Sequence, residues 1–194
     1  GHKFVYVLYD NEAYMNTGIQ RCSSTPKYAS TTTSPAGRVI PGKMEWKKPI
    51  GFIIAAHHNA YVATVNPYFW RDFVIKIRKA AEFEGPAFIH SISVCPRGWR
   101  HDGRLTMTIA RLATETCLHP LWEFDPTTRK YTVTDRSAYI AKNPDKKVPI
   151  EEYLKLQGRF RHLFKPVKRD DLIDEIQKRV DLEWEYLLRL AGLS

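Results

Sequence analysis

The sequence predicts an α/β domain with a mostly parallel sheet flanked by helices, followed by a helical C-terminal extension. Two patterns indicate this fold. Short apolar runs alternate with helical patterns along most of the chain, and the last part is helical throughout. Alternation of strands and helices is typical of layered α/β domains. We therefore expect residues 1–135 to form the α/β domain and residues 136–194 to form an extension that packs on this domain or on a partner subunit.

The predicted elements follow one another along the chain. The continuous apolar run from Phe4 to Tyr9 predicts a buried strand of a parallel sheet. A strand is expected over residues 61–65, and Asn66-Pro67 then supplies an N-cap and a first-turn proline for the next helix. The remaining expected elements are strands at 87–94, 121–124 and 131–133, and helices at 49–57, 105–113, 149–157 and 170–190.

Residues 16–42 differ in composition from the rest of the chain. Fifteen of these 27 residues are Ser, Thr, Gly or Pro. A flexible linker has such a composition, and so does a long functional loop that a ligand or a neighbouring subunit orders. Composition leaves both interpretations open. We expect the segment to be mobile when nothing orders it.

Charge and cysteine usage limit the class of protein. The net charge of +9, from 30 basic and 21 acidic residues, permits nucleic acid, an anionic membrane or an acidic protein as partner. No apolar run approaches the roughly 18 residues that span a bilayer, and no signal segment opens the sequence. Cys22, Cys95 and Cys117 are widely spaced and imply no disulfide framework. The expected location is therefore the reducing cytoplasm.

Polar residues follow the first predicted strand. Asp10 and Asn11 stand at its carboxyl end, where open α/β sheets bind ligands. An oxygen of Asn11 with a nearby main-chain carbonyl suits Mg²⁺, which usually bridges to phosphates. The turn Asn16-Thr17-Gly18 can bind phosphate or a polar ring edge. A purely structural turn, in which Asp10 and Asn11 cap the loop, suits the same residues.

A wider set of motifs resembles a known family. These motifs are YDNEAYMNTGIQ at residues 9–20, Ser24-Thr25-Pro26, Pro49-Ile50-Gly51, Tyr61-Val62-Ala63-Thr64, Gly85-Pro86-Ala87, Cys95-Pro96, Gly98-Trp99, and YLKLQGRF at residues 153–160. Together they resemble the thiamine-diphosphate-binding β subunit of 2-oxoacid:ferredoxin oxidoreductases, with the pyruvate enzymes most similar. The resemblance covers essentially the whole chain and implies the thiamine-diphosphate-binding fold.

The resemblance implies a metal and a cofactor site in the first of these motifs. Asn11 matches the side-chain Mg²⁺ ligand that closes the family's thiamine-diphosphate motif. Ala13 matches the residue whose backbone carbonyl is the next ligand. The Gly-Asp-Gly that opens the motif, with a further aspartate ligand, is absent from these 194 residues. This chain alone is therefore expected to hold an incomplete site.

The same motif implies a catalytic candidate. Asn16 matches the asparagine that lies beside the thiazolium ring and the reacting carbon of the cofactor. Thr17 and Gly18 belong to the same turn facing the cofactor. Asp10 is expected to support this turn rather than to bind metal.

Cys95 is the second kind of site residue that the resemblance implies. It matches the last cysteine ligand of the family's proximal 4Fe-4S cluster, whose other three ligands lie outside this chain. A cluster needs thiolates from several positions, so Cys95 alone cannot hold one. Without the resemblance, a lone cysteine after a strand is usually a small buried hydrophobe. Cys22 and Cys117 match no role.

The implied activity is the oxidative decarboxylation of a 2-oxoacid, with pyruvate as the first candidate, or the reverse synthesis. Thiamine diphosphate supplies the carbanion chemistry, coenzyme A takes the acyl group, and electrons pass through 4Fe-4S clusters to ferredoxin. The implied partners are the other subunits of the oxidoreductase and ferredoxin, with Arg97 and Arg100 as candidates for docking. Neither nucleic acid nor a membrane is expected.

Three alternatives remain at this stage. The substrate can be a branched-chain 2-oxoacid or 2-oxoglutarate, the chain can be an inactive fragment, or it can be a basic binding module. A module for nucleic acid interleaves basic and aromatic residues on one surface. Here much of the basic excess lies at 142–147 and 159–169, separate from the aromatic-rich strands.

Overall fold

The computed structural model describes residues 2–193, which build two layers of helices around one sheet. The strands are β1 (Phe4–Asp10), β2 (Tyr61–Val65), β3 (Pro86–Ile92), β4 (Trp122–Asp125) and β5 (Lys130–Val133). Their order in the sheet is β1-β3-β2-β4-β5. The first three strands in this order are parallel, and β4 pairs antiparallel with both of its neighbours. The predicted α/β class and mostly parallel sheet are therefore confirmed.

The helices agree with the prediction in position more than in length. They are α1 (Ile50–Ala55), α2 (Trp70–Glu82), α3 (Pro96–Trp99), α4 (Thr106–Glu115), α5 (Asp135–Lys142), α6 (Ile150–Leu154) and α7 (Asp170–Leu190). The helix predicted over 149–157 ends early, because the Gln157 side chain bonds the Tyr153 carbonyl in place of a backbone amide. A 3₁₀ helix, Gly158–Leu163, follows. Between residues 2 and 193, every helix is too short or too polar to cross a membrane.

The two faces of the sheet enter separate apolar clusters. On β2, Val62 points into the larger cluster, which includes the C-terminal helices, whereas Ala63 packs with the cluster beneath α2. Successive strand residues point to opposite faces, which explains the division. The helix α7 buries an apolar stripe at Ile173, Ile176, Val180, Trp184 and Leu187. The C-terminal extension (residues 136–194) thus covers one face of the sheet, while the division at 135 stays a prediction.

The first strand differs from its prediction. It pairs in parallel with β3, from Phe4 opposite Pro86 to Asp10 opposite Ile92. However, β1 lies at the open edge of the sheet, and Tyr6 and Tyr9 are 55% and 72% exposed. The prediction of a buried strand is therefore wrong for the described residues. The physical reason is that β1 has one neighbouring strand, so its outer edge and much of both faces meet solvent.

The Ser- and Thr-rich segment folds back into the protein. Tyr28 and Ala29 are buried, and the Tyr28 amide donates to the carbonyl of Lys43 at 2.6 Å. The Ser30 amide donates to the carbonyl of Arg159 in the C-terminal extension at 2.9 Å. These contacts contradict a free linker, because they fix the centre of the segment against two other parts of the chain. Mobility of the exposed remainder stays a prediction.

Candidate functional site

The chain turns sharply in the loop that follows β1, which we call the β1 loop (residues 10–18). The amide of Glu12 donates to Oδ1 of Asp10 at 3.0 Å, and the amide of Ala13 lies 3.5 Å from Oδ1 of Asn11. Glu12 has a φ of 66°, a left-handed conformation that is uncommon outside glycine. The bonds of a structural turn are therefore present, and they hold a strained backbone at the carboxyl end of the sheet.

The β1 loop offers two oxygen atoms to a cation. Oδ1 of Asn11 makes only the long contact with the Ala13 amide, and the Ala13 carbonyl accepts no hydrogen bond from residues 2–193. Both residues are partly exposed. An amide oxygen and a main-chain carbonyl are ligands of the kind that Mg²⁺ takes. The donor set fits Mg²⁺, provided that the diphosphate and residues outside this set complete the coordination shell.

The end of the β1 loop presents one unpaired side chain. Asn16 is exposed and makes no hydrogen bond within residues 2–193. Thr17 instead shapes the turn, since its hydroxyl donates to Oε1 of Gln20 at 2.5 Å. Gly18 adopts a φ of 124°, and its carbonyl accepts from the hydroxyl of Thr32 at 2.8 Å. Asn16 is thus available to a ligand, whereas Thr17 and Gly18 set the path of the backbone.

The turn that carries Cys95, which we call the Cys95 turn (residues 95–100), lies directly on the β1 loop. The indole Nε1 of Trp99 donates to the carbonyl of Asn11 at 2.9 Å. A Cβ added to Gly98 would lie 2.2 Å from Sδ of Met15, so glycine permits this close approach. The structure therefore brings the predicted cluster ligand and the predicted cofactor ligands to neighbouring segments.

The cysteines occupy different environments. Cys95 is half-buried, and its Sγ accepts from the amide of Gly98 at 3.4 Å. Cys117 is buried, and burial raises the pKa of its thiol to about 12. Within residues 2–193, no group of three or more His, Cys, Asp or Glu side chains could hold a metal ion. These residues do not fit a complete 4Fe-4S cluster, and the role of Cys95 as one ligand stays a prediction.

A buried ionic network lies beneath the β1 loop. The carboxylate of Asp10 contacts Nζ of Lys47 at 2.7 Å, Nε2 of His90 at 2.8 Å and the hydroxyl of Ser24 at 2.5 Å. Burial disfavours the charge of Asp10, but Lys47 and His90 together outweigh burial and hold the pKa of this carboxyl well below its usual range. Asp10 therefore supports the turn, as its position in the motif implies.

Glu12 forms the second half of the ionic network. Its carboxylate is 2% exposed and contacts Nζ of Lys47 at 2.7 Å through Oε1. Its Oε2 lies 2.6 Å from Nη2 of Arg159, which is 3% exposed. Lys47 and Arg159 together balance the two carboxylates of Asp10 and Glu12, which makes their burial tolerable.

Two histidines complete the buried surroundings. The rings of His90 and His119 meet edge to face with their centroids 5.0 Å apart. Nε2 of His119 lies 3.0 Å from the carbonyl of Val65. Burial lowers the pKa of His90 and lowers that of His119 further, so both rings are neutral at pH 7. Because ionised Asp10 can only accept, Nε2 of His90 carries the proton.

The residues that support the β1 loop from the protein interior were not predicted from the sequence. Arg159 belonged to the basic excess near the C-terminus, yet its side chain is buried. Trp99 and Arg159 both lie in motifs that carry the family resemblance, and this was the available signal. Glu12 also lies in such a motif, at residues 9–20, whereas Lys47 lies in none of them. The burial of both was unexpected, because a lysine and a glutamate are ordinarily solvated.

The comparisons with known proteins identify the family of the chain. Residues 1–91 match the family "Thiamine pyrophosphate enzyme, C-terminal TPP binding domain". The whole chain is 45% identical to pyruvate synthase subunit PorB from Thermotoga maritima, over 57% of that protein. It is 47% identical to PorB from Methanosarcina barkeri, with 93% of this chain and 58% of the relative covered. It is 45% identical to ketoisovalerate oxidoreductase subunit VorB from Pyrococcus furiosus, with 98% and 58% covered.

A solved structure was also compared. It is a 2-oxoglutarate:ferredoxin oxidoreductase from Magnetococcus marinus with 2-oxoglutarate, coenzyme A and succinyl-CoA bound, and it aligns with 56% of this chain and 43% of its own at a TM-score of 0.43 and 22% identity. A likeness at this level adds nothing to the assignment.

The fold and the matching family place the chain among the thiamine-diphosphate-binding domains. More particularly, the chain belongs to the family of β subunits of 2-oxoacid oxidoreductases, which includes the pyruvate synthase subunits. The recognition from sequence motifs is confirmed. The chain spans slightly less than three fifths of the length of the curated relatives it matches.

Proposed function

We propose that this chain closes the thiamine diphosphate site of a pyruvate:ferredoxin oxidoreductase. The overall reaction joins the acetyl group of pyruvate to coenzyme A, releases CO₂ and passes two electrons to ferredoxin, or runs in reverse. The observation that carries the proposal is the β1 loop at the carboxyl end of β1. It places Oδ1 of Asn11 there together with the Ala13 carbonyl and the Asn16 side chain, both of which lack hydrogen bonds within the described residues 2–193.

The residues of this chain act by binding and orienting. Asn11 and Ala13 would hold the Mg²⁺ that anchors the diphosphate. Asn16 would face the thiazolium end of the cofactor. Trp99 fixes the main chain of Asn11, which leaves the side-chain amide of Asn11 available to the metal. When bound, thiamine diphosphate supplies the carbanion that attacks the 2-oxoacid carbonyl.

The edge of the sheet supports the proposal that other subunits, or further parts of the same subunit, are partners. Phe4, Tyr6 and Tyr9 on β1 are more than half exposed, and the outer edge of β1 is unpaired within the described residues. Apolar edges of this kind are rare on free monomers because they promote association. We infer that β1 is covered in the assembled enzyme.

The substrate class has a second candidate. The chain is 45% identical both to a pyruvate synthase subunit and to a ketoisovalerate oxidoreductase subunit, so branched-chain 2-oxoacids are the alternative to pyruvate. The ratio of kcat/KM for pyruvate to that for 2-oxoisovalerate, measured on the assembled enzyme, decides between them. A higher value for 2-oxoisovalerate would contradict the assignment to pyruvate.

The cofactor site is tested by substituting its two asparagines in the complete subunit within the assembled enzyme. Asn11→Ala should weaken Mg²⁺ and thiamine diphosphate binding together, because one metal ligand is lost. Asn16→Ala should lower turnover more than cofactor affinity, because this side chain lies at the reacting end. Titration calorimetry measures the binding, and pyruvate-dependent ferredoxin reduction measures the turnover.

The matched control for both substitutions is Asn143→Ala. Asn143 is a partly exposed asparagine at the end of α5, and within residues 2–193 its side chain bonds only the Tyr139 carbonyl. This variant should retain both affinity and turnover. Normal cofactor retention together with normal turnover in Asn11→Ala and Asn16→Ala would reject the site.

A further inference from the structure

We propose that Arg159, from the C-terminal extension, is a positioning residue that sets the geometry of the Mg²⁺-binding β1 loop. This inference rests on the proposed function, because it assumes that the β1 loop holds Mg²⁺ and thiamine diphosphate. It adds a residue that does not touch the cofactor and acts through Glu12 and Trp99.

Arg159 contacts both residues that fix the β1 loop. Its Nη2 lies 2.6 Å from Oε2 of Glu12, and its guanidinium stacks 3.9 Å from the ring centroid of Trp99. The same indole donates to the carbonyl of Asn11 at 2.9 Å. One buried side chain therefore holds two consecutive residues of the loop, Asn11 through the indole and Glu12 directly.

Arg159 is also held by contacts that do not involve Glu12 or Trp99. Its Nε donates to Oε1 of Gln157 at 2.8 Å, and its carbonyl accepts from the Ser30 amide at 2.9 Å. These contacts orient the guanidinium without help from Glu12, and because the group is planar and rigid, its donors are fixed in direction. Such preorganisation is what a positioning residue requires.

Glu12 needs this partner for two reasons. Its backbone is strained at a φ of 66°, a conformation that persists only when the surroundings enforce it. Its carboxylate is buried, and no hydrogen bond to Oε2 is formed within residues 2–193, so the nearby Arg159 charge is the compensation on that side. Without Arg159, Glu12 would leave its site, and Asn11 and Ala13 on either side would move with it.

An electrostatic role and a positioning role of Arg159 predict opposite changes in Mg²⁺ affinity when its side chain is removed. If Arg159 acted only through its charge, its removal would strengthen the binding of a nearby cation. If Arg159 sets the loop geometry, its removal weakens Mg²⁺ binding, and loss of an outer-shell partner typically costs about 10-fold to 100-fold in metal affinity. The sign of the change in Mg²⁺ affinity therefore separates the two roles.

The test uses Arg159→Met and Arg159→Lys in the complete subunit within the assembled enzyme, with Arg161→Met as control. Arg161 lies in the same 3₁₀ helix and is exposed. The dissociation constants of thiamine diphosphate are measured by calorimetry at limiting and at saturating Mg²⁺. The KM for the 2-oxoacid and the urea midpoint of unfolding are measured on the same samples.

We expect Arg159→Met to raise the dissociation constant of thiamine diphosphate by about 10-fold at limiting Mg²⁺ and less at saturating Mg²⁺. Arg159→Lys should restore part of the affinity, because it keeps the charge beside Glu12 but loses the stack on Trp99. In Arg159→Met, the KM for the 2-oxoacid should stay unchanged. The control Arg161→Met should keep all the measured properties of the wild type.

Three outcomes overturn the inference in distinguishable ways. If Arg159→Met lowers the urea midpoint but binds Mg²⁺ and thiamine diphosphate as the wild type does, Arg159 is structural. If the variant binds them more tightly, Arg159 acts through its charge. In both cases the proposed function stands. If the wild-type enzyme itself binds no thiamine diphosphate, the proposed function fails together with the inference.

Discussion

Gly158 lies against Arg100 with no room for a side chain between them. A Cβ added to Gly158 would lie 2.7 Å from Cβ and 2.8 Å from the carbonyl oxygen of Arg100. The Gly158 amide donates to that same carbonyl at 3.0 Å. The contact joins the C-terminal extension to the Cys95 turn, and through it to the β1 loop.

Gly158→Ala should therefore destabilise the protein. The new methyl group would meet backbone atoms of Arg100, which cannot swing aside as a flexible side chain can. We expect a loss of about 1–3 kcal/mol in the free energy of unfolding, the usual cost of overpacking. Urea denaturation measures it. Gly103→Ala is the control, because nothing lies within 4 Å of a Cβ at Gly103. Equal stability of the two variants would contradict the close packing of Gly158.

Cys95→Ala in the complete subunit should remove iron and the electron paramagnetic signal of the proximal cluster. Cys95 follows β3 in the Cys-Pro motif of the family and is half-buried beside the β1 loop. Cys22→Ala and Cys117→Ala should keep both iron and signal. Unchanged iron content in Cys95→Ala would reject this cysteine as a ligand.

The stability of the protein should fall as the pH drops below about 6.5, because His119 resists protonation when folded. Burial and the neighbouring His90 and Lys47 lower the pKa of His119 well below 6.5, its value in an unfolded chain. Below pH 6.5, His119 becomes protonated in the unfolded chain but stays neutral in the folded chain. This costs about 1.4 kcal/mol per pH unit until the folded pKa is reached.

His119→Gln should reduce this loss, since glutamine can still donate to the Val65 carbonyl but does not titrate. Urea unfolding at pH 7.5 and pH 5.5 should show the free energy falling less in the variant than in the wild type, by about 1 kcal/mol. His90 contributes in the same direction and remains in both proteins. His57→Gln, at an exposed histidine, should leave the dependence unaltered. Parallel wild-type and His119→Gln curves would refute the assignment.

Arg97 and Arg100 are expected to assist the encounter with ferredoxin. Both are exposed on the Cys95 turn, and a basic surface speeds association with an acidic partner at low salt. Arg97→Ala combined with Arg100→Ala should raise the apparent KM for ferredoxin several-fold at low ionic strength and little at high ionic strength. Arg129→Ala, at an exposed arginine on the β4–β5 turn, is the control. If neither the KM nor its salt dependence changes in the double variant, ferredoxin docks elsewhere.

The features that were predicted best from the sequence are those that depend on residues adjacent in the chain. Asn66 caps the turn at Pro67, with its side chain accepting from the Tyr68 amide at 3.0 Å, because these residues are adjacent in the chain. The exposure of β1 could not be predicted from its own apolar residues. It depends on which elements flank the strand in space.

The candidate site shows the same division. Asn11, Ala13 and Asn16 could be proposed because they lie in one continuous motif. The contact between Glu12 and Arg159 joins two residues that are far apart in the sequence, and no local pattern encodes such a pair. The motif therefore predicted the residues that we propose to face the ligand, whereas the residues that support them were identified only from the fold.

The contact between Glu12 and Arg159 also sets an order of events during synthesis. A ribosome releases a chain from its N-terminus at about 5–20 residues per second. The β1 loop emerges before Arg159, because Arg159 follows it at a large distance in the sequence. The loop reaches its described geometry after the extension has emerged and docked. If Arg159 has the proposed role, tight cofactor binding follows the docking of the extension, and a chain truncated before residue 159 would keep every motif residue of the β1 loop but lose the ion pair at Glu12.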